Sequence, residues 1–168
     1  MSQSPLAAMP FATLIGAELV SASPAEVRGR VEWTPDRCTT GGVLHGGVLM
    51  SLADALGGYC AVLNLQPGVG TATIESKTNF FRAVRAGFVD GVTTPIHVGR
   101  TTIVLQTDLL DQEGRLVARV TQTQLVIPPA AQAVPQSQLA GTEAPDSQGE
   151  HQGEPHRGPG QKRSRRRV

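Results

Sequence analysis

Between Gly41 and Asn64 the chain reads GGVLHGGVLMSLADALGGYCAVLN, the longest near-uninterrupted apolar run in its 168 residues. Val48, Leu52, Leu56, Tyr59 and Leu63 recur at helical spacing, with Leu49, Ala53, Cys60 and Val62 beside them. The spacing predicts one long helix, apolar around most of its circumference. Such a helix is expected to be buried, so the rest of the chain must wrap it. The face left over carries Met50, Ser51, Asp54, Gly57 and Gly58, small or polar residues suited to a close contact outside the ordinary core.

Asp54 is the only acid in this stretch, and no Lys or Arg occurs between Arg37 and Lys77. A carboxylate buried without a partner costs several kcal/mol or takes up a proton. Asp54 is therefore expected either in a site or satisfied by local hydrogen bonds. Gly41, Gly42, Gly46 and Gly47 flank His45 where the helix should begin. Glycines there let a ligand approach backbone N–H groups that point out of the helix with partial positive charge, a suitable place for a polarised carbonyl. Asp54 lies eight positions beyond Gly46, about 12 Å along a helix axis. One chain cannot close both around one small group. Two helices packed antiparallel across a two-fold axis, through the Gly57 and Gly58 face, would bring Gly46 of one near Asp54 of the other.

The remaining pattern is mostly strand. Glu26–Trp33 alternates Val27, Gly29, Val31 and Trp33 with charged residues, a period of two with one wet face. Further strands are expected over Thr71–Arg82, Phe88–Val98, Thr101–Leu110 and Arg115–Ile127, with Pro95 implying an edge position or a bulge. Phe11, Leu14, Ile15 and Leu19 suggest a short lid helix over Phe11–Leu19. One long helix and about five strands joined by short turns make an α+β layout, an antiparallel sheet curled around a helix.

The run GGVLHGGVLMSLAD resembles the signature of the hotdog-fold acyl-CoA thioesterases of the phenylacetate-pathway (PaaI-like) type, with HGG at the helix start and an acid nine residues after the histidine. The resemblance runs from about Phe11 to Ile127 and includes TNFFRAVRAG and HVGRTT. It implies a hotdog fold of five to six strands around one central helix, and hydrolysis of an aryl- or medium-chain acyl-CoA to free acid and coenzyme A. Coenzyme A would be part of the substrate, with no separate cofactor. In that family's terms the Gly46 N–H, with His45 beside it, polarises the thioester carbonyl. Asp54 from the facing chain acts as general base or nucleophile, and Thr73 helps orient the nucleophilic water. Gly47, Phe80, Arg82 and Arg100 would contact substrate, the arginines through the phosphates of coenzyme A. Relatives usually carry Asn six residues before the histidine; Thr39 stands there and offers only a hydroxyl. A homodimer, or a pair of dimers, is implied.

Each of these residues also has an ordinary structural explanation. His45 can simply brace the loop, Thr73 suits any strand, surface arginines are mostly solvated, and one of Phe80 and Phe81 is expected in the core. Two other activities suit the same fold: an acyl-CoA binder without catalysis, which has no need of Asp54, and a dehydratase or hydratase acting on acyl thioesters. Neither a GxSxG elbow nor a cluster of metal ligands is present; His45 and His97 have no Cys or carboxylate at ligand spacing.

Charge separates the two ends of the chain. Residues 1–128 hold nine Lys/Arg against ten Asp/Glu, and 129–168 hold six against four, so the net +1 joins a slightly acidic domain to a basic end. No overall basic field argues for nucleic acid. From Pro128 onward Pro, Ala, Gln, Gly and Ser dominate, predicting a disordered tail over 129–168 behind a domain over 1–128. The terminal KRSRRR is more often a solvated run than a nucleic-acid or lipid contact. Cys38 and Cys60 are expected as reduced thiols. The apolar N-terminus lacks a basic leader region, and no apolar span of membrane length lies outside the central helix, so a cytoplasmic location is expected.

Overall fold

Strand-forming alternation in separate stretches of the sequence becomes a single antiparallel sheet. The structure is a computed structural model and describes residues 5–129. The expectations for the Pro- and Gln-rich tail from 130 onward, with its basic end, lie outside the described residues. In chain order the elements are a 3-10 turn at Pro5–Ala8, helix α1 (Pro10–Leu14), strands β1 (Glu18–Ala22), β2 (Val27–Glu32), β3 (Cys38–Thr39) and β4 (Val43–Leu44), and helix α2 (Gly46–Leu63). Strands β5 (Gly70–Phe80), β6 (Phe88–Val98), β7 (Thr102–Asp111) and β8 (Leu116–Ile127) follow. Six of the strands form the sheet in the order β1-β2-β6-β7-β8-β5, and β3 and β4 make a small separate hairpin.

α2 crosses one face of this sheet. Alternate residues point inward: Val27 and Val31 from β2, Val89 and Thr93 from β6, Ile103, Leu105, Thr107 and Leu109 from β7, and Val120, Gln122 and Gln124 from β8. Against them α2 buries Leu49, Leu52, Ala53, Leu56, Gly57, Cys60 and Ala61. Burying each leucine is worth about 1.5–3 kcal/mol relative to leaving it exposed. Thr93 and Thr107, both buried, satisfy one another through a 2.7 Å hydroxyl contact. At the β2–β6 pairing Gly29 lies opposite Gly91. Both admit the same side chain, since a Cβ at either would stand 2.6 Å from a methyl of Leu56. Paired glycines thus form the slot into which the helix is keyed.

Three expectations change here. α2 is not buried all round: Met50, Asp54 and Val62 are exposed. A helix laid on one sheet can bury only about half its circumference. Phe11–Leu19 is not one helix, because Gly16 at φ 66 ends the helical segment and Glu18–Ala22 pairs with β2. Ala12 and Ile15 are the buried residues of that segment, with Leu6 buried just before it, while Phe11 and Leu14 face outward. Phe80 and Phe81 are both about half exposed, so neither belongs to the core. Pro95 behaves as expected, since the β6–β7 register shifts between Pro95 and His97 and β2 pairs only as far as Thr93, leaving the missing N–H without a neighbouring strand to serve.

Candidate active site

The entrance to α2 is built by a tight hairpin. Gly41 (φ 84) and Gly42 (φ 70) turn the chain between β3 and β4, a conformation that other residues adopt only with strain. Their carbonyls are pinned from outside: the Trp33 indole N–H donates to Gly42 O at 3.1 Å, and Arg85 donates to Gly41 O at 2.8 Å. The Leu44 N–H reaches Val84 O (2.8 Å) and the His45 N–H reaches Arg37 O (2.9 Å), which holds the next residues as firmly. Thr39 lies exposed on this hairpin, paired with Val43.

His45 is the N-cap of α2. Its Nδ1 accepts the Gly47 N–H at 2.8 Å, and its carbonyl accepts the Val48 N–H at 2.9 Å. A neutral ring that accepts at Nδ1 carries its proton on Nε2. Gly47 is therefore occupied by the cap. Among the described residues nothing accepts the Gly46 N–H, so the first turn keeps one donor free at the positive end of an 18-residue helix. The Phe80 ring lies across this glycine, with Cζ 3.1 Å from where a Cβ would stand.

Asp54 is exposed in the chain rather than buried, yet it is firmly held. Its Oδ1 accepts from the Thr73 hydroxyl at 3.2 Å and from Gln122 Nε2. Thr73 Oγ1 in turn accepts from Gln122 Nε2 (3.1 Å) and Gln124 Nε2 (2.8 Å), and Gln124 Oε1 accepts from Thr71 (3.0 Å). Sequence reasoning named Asp54 and Thr73 and the structure brings them together. It missed Gln122 and Gln124, which follow β-alternation as polar residues among polar threonines and so give no apolar signal. The expected contact through Gly57 is also corrected. Gly57 is buried within its own chain, where a Cβ would overlap Gln122 Oε1.

Beside Asp54 a cleft of about 390 Å³ opens between α1, α2 and β5, lined by Met9, Phe11, Ala12, Met50, Ser51, Asp54, Ala55 and Ser76. Ser51 donates to Gly47 O at 2.8 Å, so its oxygen lone pairs remain available. Apart from Ser51, Asp54 and Ser76 the walls are thioether, aromatic and methyl groups, suited to an apolar tail.

Not every expected residue joins this group. Arg82 donates to Leu116 O at 2.8 Å near the end of β5, and Arg100 is exposed in the β6–β7 turn. Through the register, Thr102 aligns by way of Leu125 with Ala72, and Phe80 aligns with Ala118. The two arginines therefore stand at opposite ends of the sheet, about 27 Å apart along β5. Cys60 lies in the core, where burial pushes its thiol up to about 11, and Cys38 lies outside it; both are free thiols. Among the described residues no group of three His, Cys, Asp or Glu side chains could hold a metal ion.

Comparison with known proteins agrees with this geometry. Residues 41–118 match the Thioesterase superfamily. The chain is 35% identical over 75 residues to the 1,4-dihydroxy-2-naphthoyl-CoA hydrolase of Escherichia coli K12, covering 45% of this chain and 55% of that protein. It is likewise 35% identical over 74 residues to the proofreading thioesterase EntH of Cronobacter sakazakii, covering 44% and 54%. A crystal structure of a thioesterase from Haemophilus influenzae superposes with a TM-score of 0.72 at 27% identity, covering 77% of this chain and 90% of that one. The chain spans only 51–59% of the length of the curated relatives it matches first. The helix-wrapping antiparallel sheet and its HGG-initiated helix thus give the chain the hotdog fold of that thioesterase structure, and residues 41–118, a little under half of the chain, are similar to the Thioesterase superfamily.

Proposed function

We propose that the protein is an acyl-CoA thioesterase, hydrolysing aryl- or medium-chain acyl-CoA to the free acid and coenzyme A in a site shared by two copies of the chain. The observation that carries this is the division of labour along α2: a free backbone donor at Gly46, and eight residues later a carboxylate gripped through one oxygen. Relatives named as a CoA hydrolase and a thioesterase support the reaction class.

The chemistry needs a group to polarise the carbonyl and a group to attack or activate water. The Gly46 N–H, with His45 Nε2–H beside it, serves the thioester oxygen as it gains negative charge. Asp54 supplies the second function, either by taking a proton from the attacking water or by attacking the carbonyl carbon itself. The C–S bond then breaks; in the first route the coenzyme A thiolate takes up the proton drawn from water, and in the second it leaves as the thiolate. In the second route water afterwards cleaves the acyl–Asp54 anhydride. The apolar cleft beside Asp54 holds the acyl tail.

The spacing within one α2 requires a second copy. β5 is an outermost strand of 11 residues, with Ile74 and Phe80 more than half exposed. An edge of this kind invites pairing with a like strand. Antiparallel pairing of two β5 edges would carry Asp54 and Arg100 of a second copy toward Gly46 and Arg82 of the first. That gathers residues which one chain keeps apart, with the two arginines placed for the phosphates of coenzyme A.

The test is thiol release from a panel of aryl- and straight-chain acyl-CoA thioesters, with wild type and Asp54→Asn compared. The expected result is turnover of at least one thioester and a fall in kcat of at least about 100-fold in the variant. Near-normal turnover in Asp54→Asn would refute the assignment.

A further inference from the structure

The polar cluster behind Asp54 is more elaborate than a strand–helix contact needs. Gln122 is 1% exposed on the core face of β8, where an apolar side chain of equal volume would pack without penalty. It keeps that place at a visible cost: among the described residues its Oε1 has no hydrogen-bond partner. α2 gives up a side chain for it as well, because Gly57, one turn beyond Asp54, stands where any Cβ would overlap that oxygen. Both Nε2 protons are directed, one to Asp54 Oδ1 and one to Thr73 Oγ1.

The direction of the hydrogen bonds follows. A threonine oxygen has one proton and two lone pairs. Amides of Gln122 and Gln124 occupy both lone pairs of Thr73, so its proton is committed to Asp54 Oδ1. Thr71 donates to Gln124 Oε1 and fixes that amide in turn. Two donors therefore converge on Oδ1, and among the described residues none reaches Oδ2.

We propose that Gln122 is a positioning residue for the hydrolysis: directly, and through Thr73, it anchors Asp54 by Oδ1 and leaves Oδ2 as the oxygen that meets water or substrate. This rests on the reading of Asp54 given above. Gln122 touches neither substrate nor reacting carbon, so its effect passes through Asp54 alone.

Gln122→Met keeps the volume and removes the donors. It is expected to lower kcat about 10- to 100-fold with KM within about two-fold, and to cost less than about two-fold when placed in Asp54→Asn. Gly57→Ala displaces the same amide without altering it and should lower kcat in the same sense. A measurement without substrate accompanies these: in 15N-labelled wild-type protein, the Gln122 side-chain amide resonances should move on Asp54→Asn while those of the half-buried Gln106 hold still. Full kcat in Gln122→Met, equal losses with and without Asp54, or Gln122 resonances indifferent to Asp54 would overturn the proposal. If wild type cleaves no thioester while the resonances respond, the thioesterase reading fails and the anchoring of Asp54 stands.

Discussion

Two aspartates show how differently one side chain can be used in this chain. Asp111 ends β7, only 8% exposed, and its carboxylate closes the turn to β8. Oδ1 accepts the N–H groups of Glu113 (3.1 Å) and Arg115 (2.9 Å), and Oδ2 accepts from the Arg115 guanidinium at 2.8 Å. Burial alone would push its carboxyl up, but the Arg115 N–H and guanidinium, with the Glu113 N–H, hold it below the usual carboxylate range. A carboxyl held down in the fold stabilises it at every pH above the ordinary value and loses that contribution as pH falls through the lowered one. Asp111→Asn should therefore lower Tm by a few degrees at pH 7, and the gap to wild type should narrow below about pH 4, as thermal melts at both pH values would show. Asp54 uses its carboxylate outward instead, with one oxygen held and one free. Asp54 stood out in the sequence because an acid on an apolar helix is conspicuous. Its grip was not, because Gln122 and Gln124 sit among Thr121 and Thr123, where residue type does not reveal which parity faces the helix. Only the register of β8 against β7 and β5 decides that.

Elements were easier to read than faces. The β6 strand runs from Phe88 to Val98 as its alternation predicts, and α2 begins at Gly46 where the glycine cluster placed it. Periodicity is a local property, and these segments carry it strongly. The orientation of α2 is not local. Nearly every position around the helix is apolar or small, so the sequence offered two overlapping stripes, and the one chosen by the sheet runs through Leu49, Leu52, Leu56 and Cys60, leaving Val62 outside. What selects that stripe is the fit of Leu56 into the slot made by Gly29 and Gly91, a match between residues 27 and 35 positions away that no window of sequence displays. Gly91→Ala fills the slot, and the overpacking should cost about 1–3 kcal/mol by chemical denaturation. In a Leu56→Ala background the same substitution should cost distinctly less, since the methyl then enters vacated space.

The whole molecule, as proposed, is an assembly in which each chain supplies half of two sites. Sedimentation should find at least a dimer under assay conditions, and a strictly monomeric species with full activity would contradict the shared site. The separation of the HGG turn from Asp54 along one rigid helix, about 12 Å, then has a genetic consequence. On this proposal, chains lacking Asp54 and chains lacking the His45 ring would each be inactive as pure homodimers, yet a heterodimer of the two would have one pocket with both defects and one with neither. Subunits unfolded together and refolded as an equal mixture should regain about a quarter of the wild-type pockets, since half the dimers are mixed and each restores one of two. Two loss-of-function alleles of this gene would thus complement within the same protein, whereas two defects on the same side of the division would not.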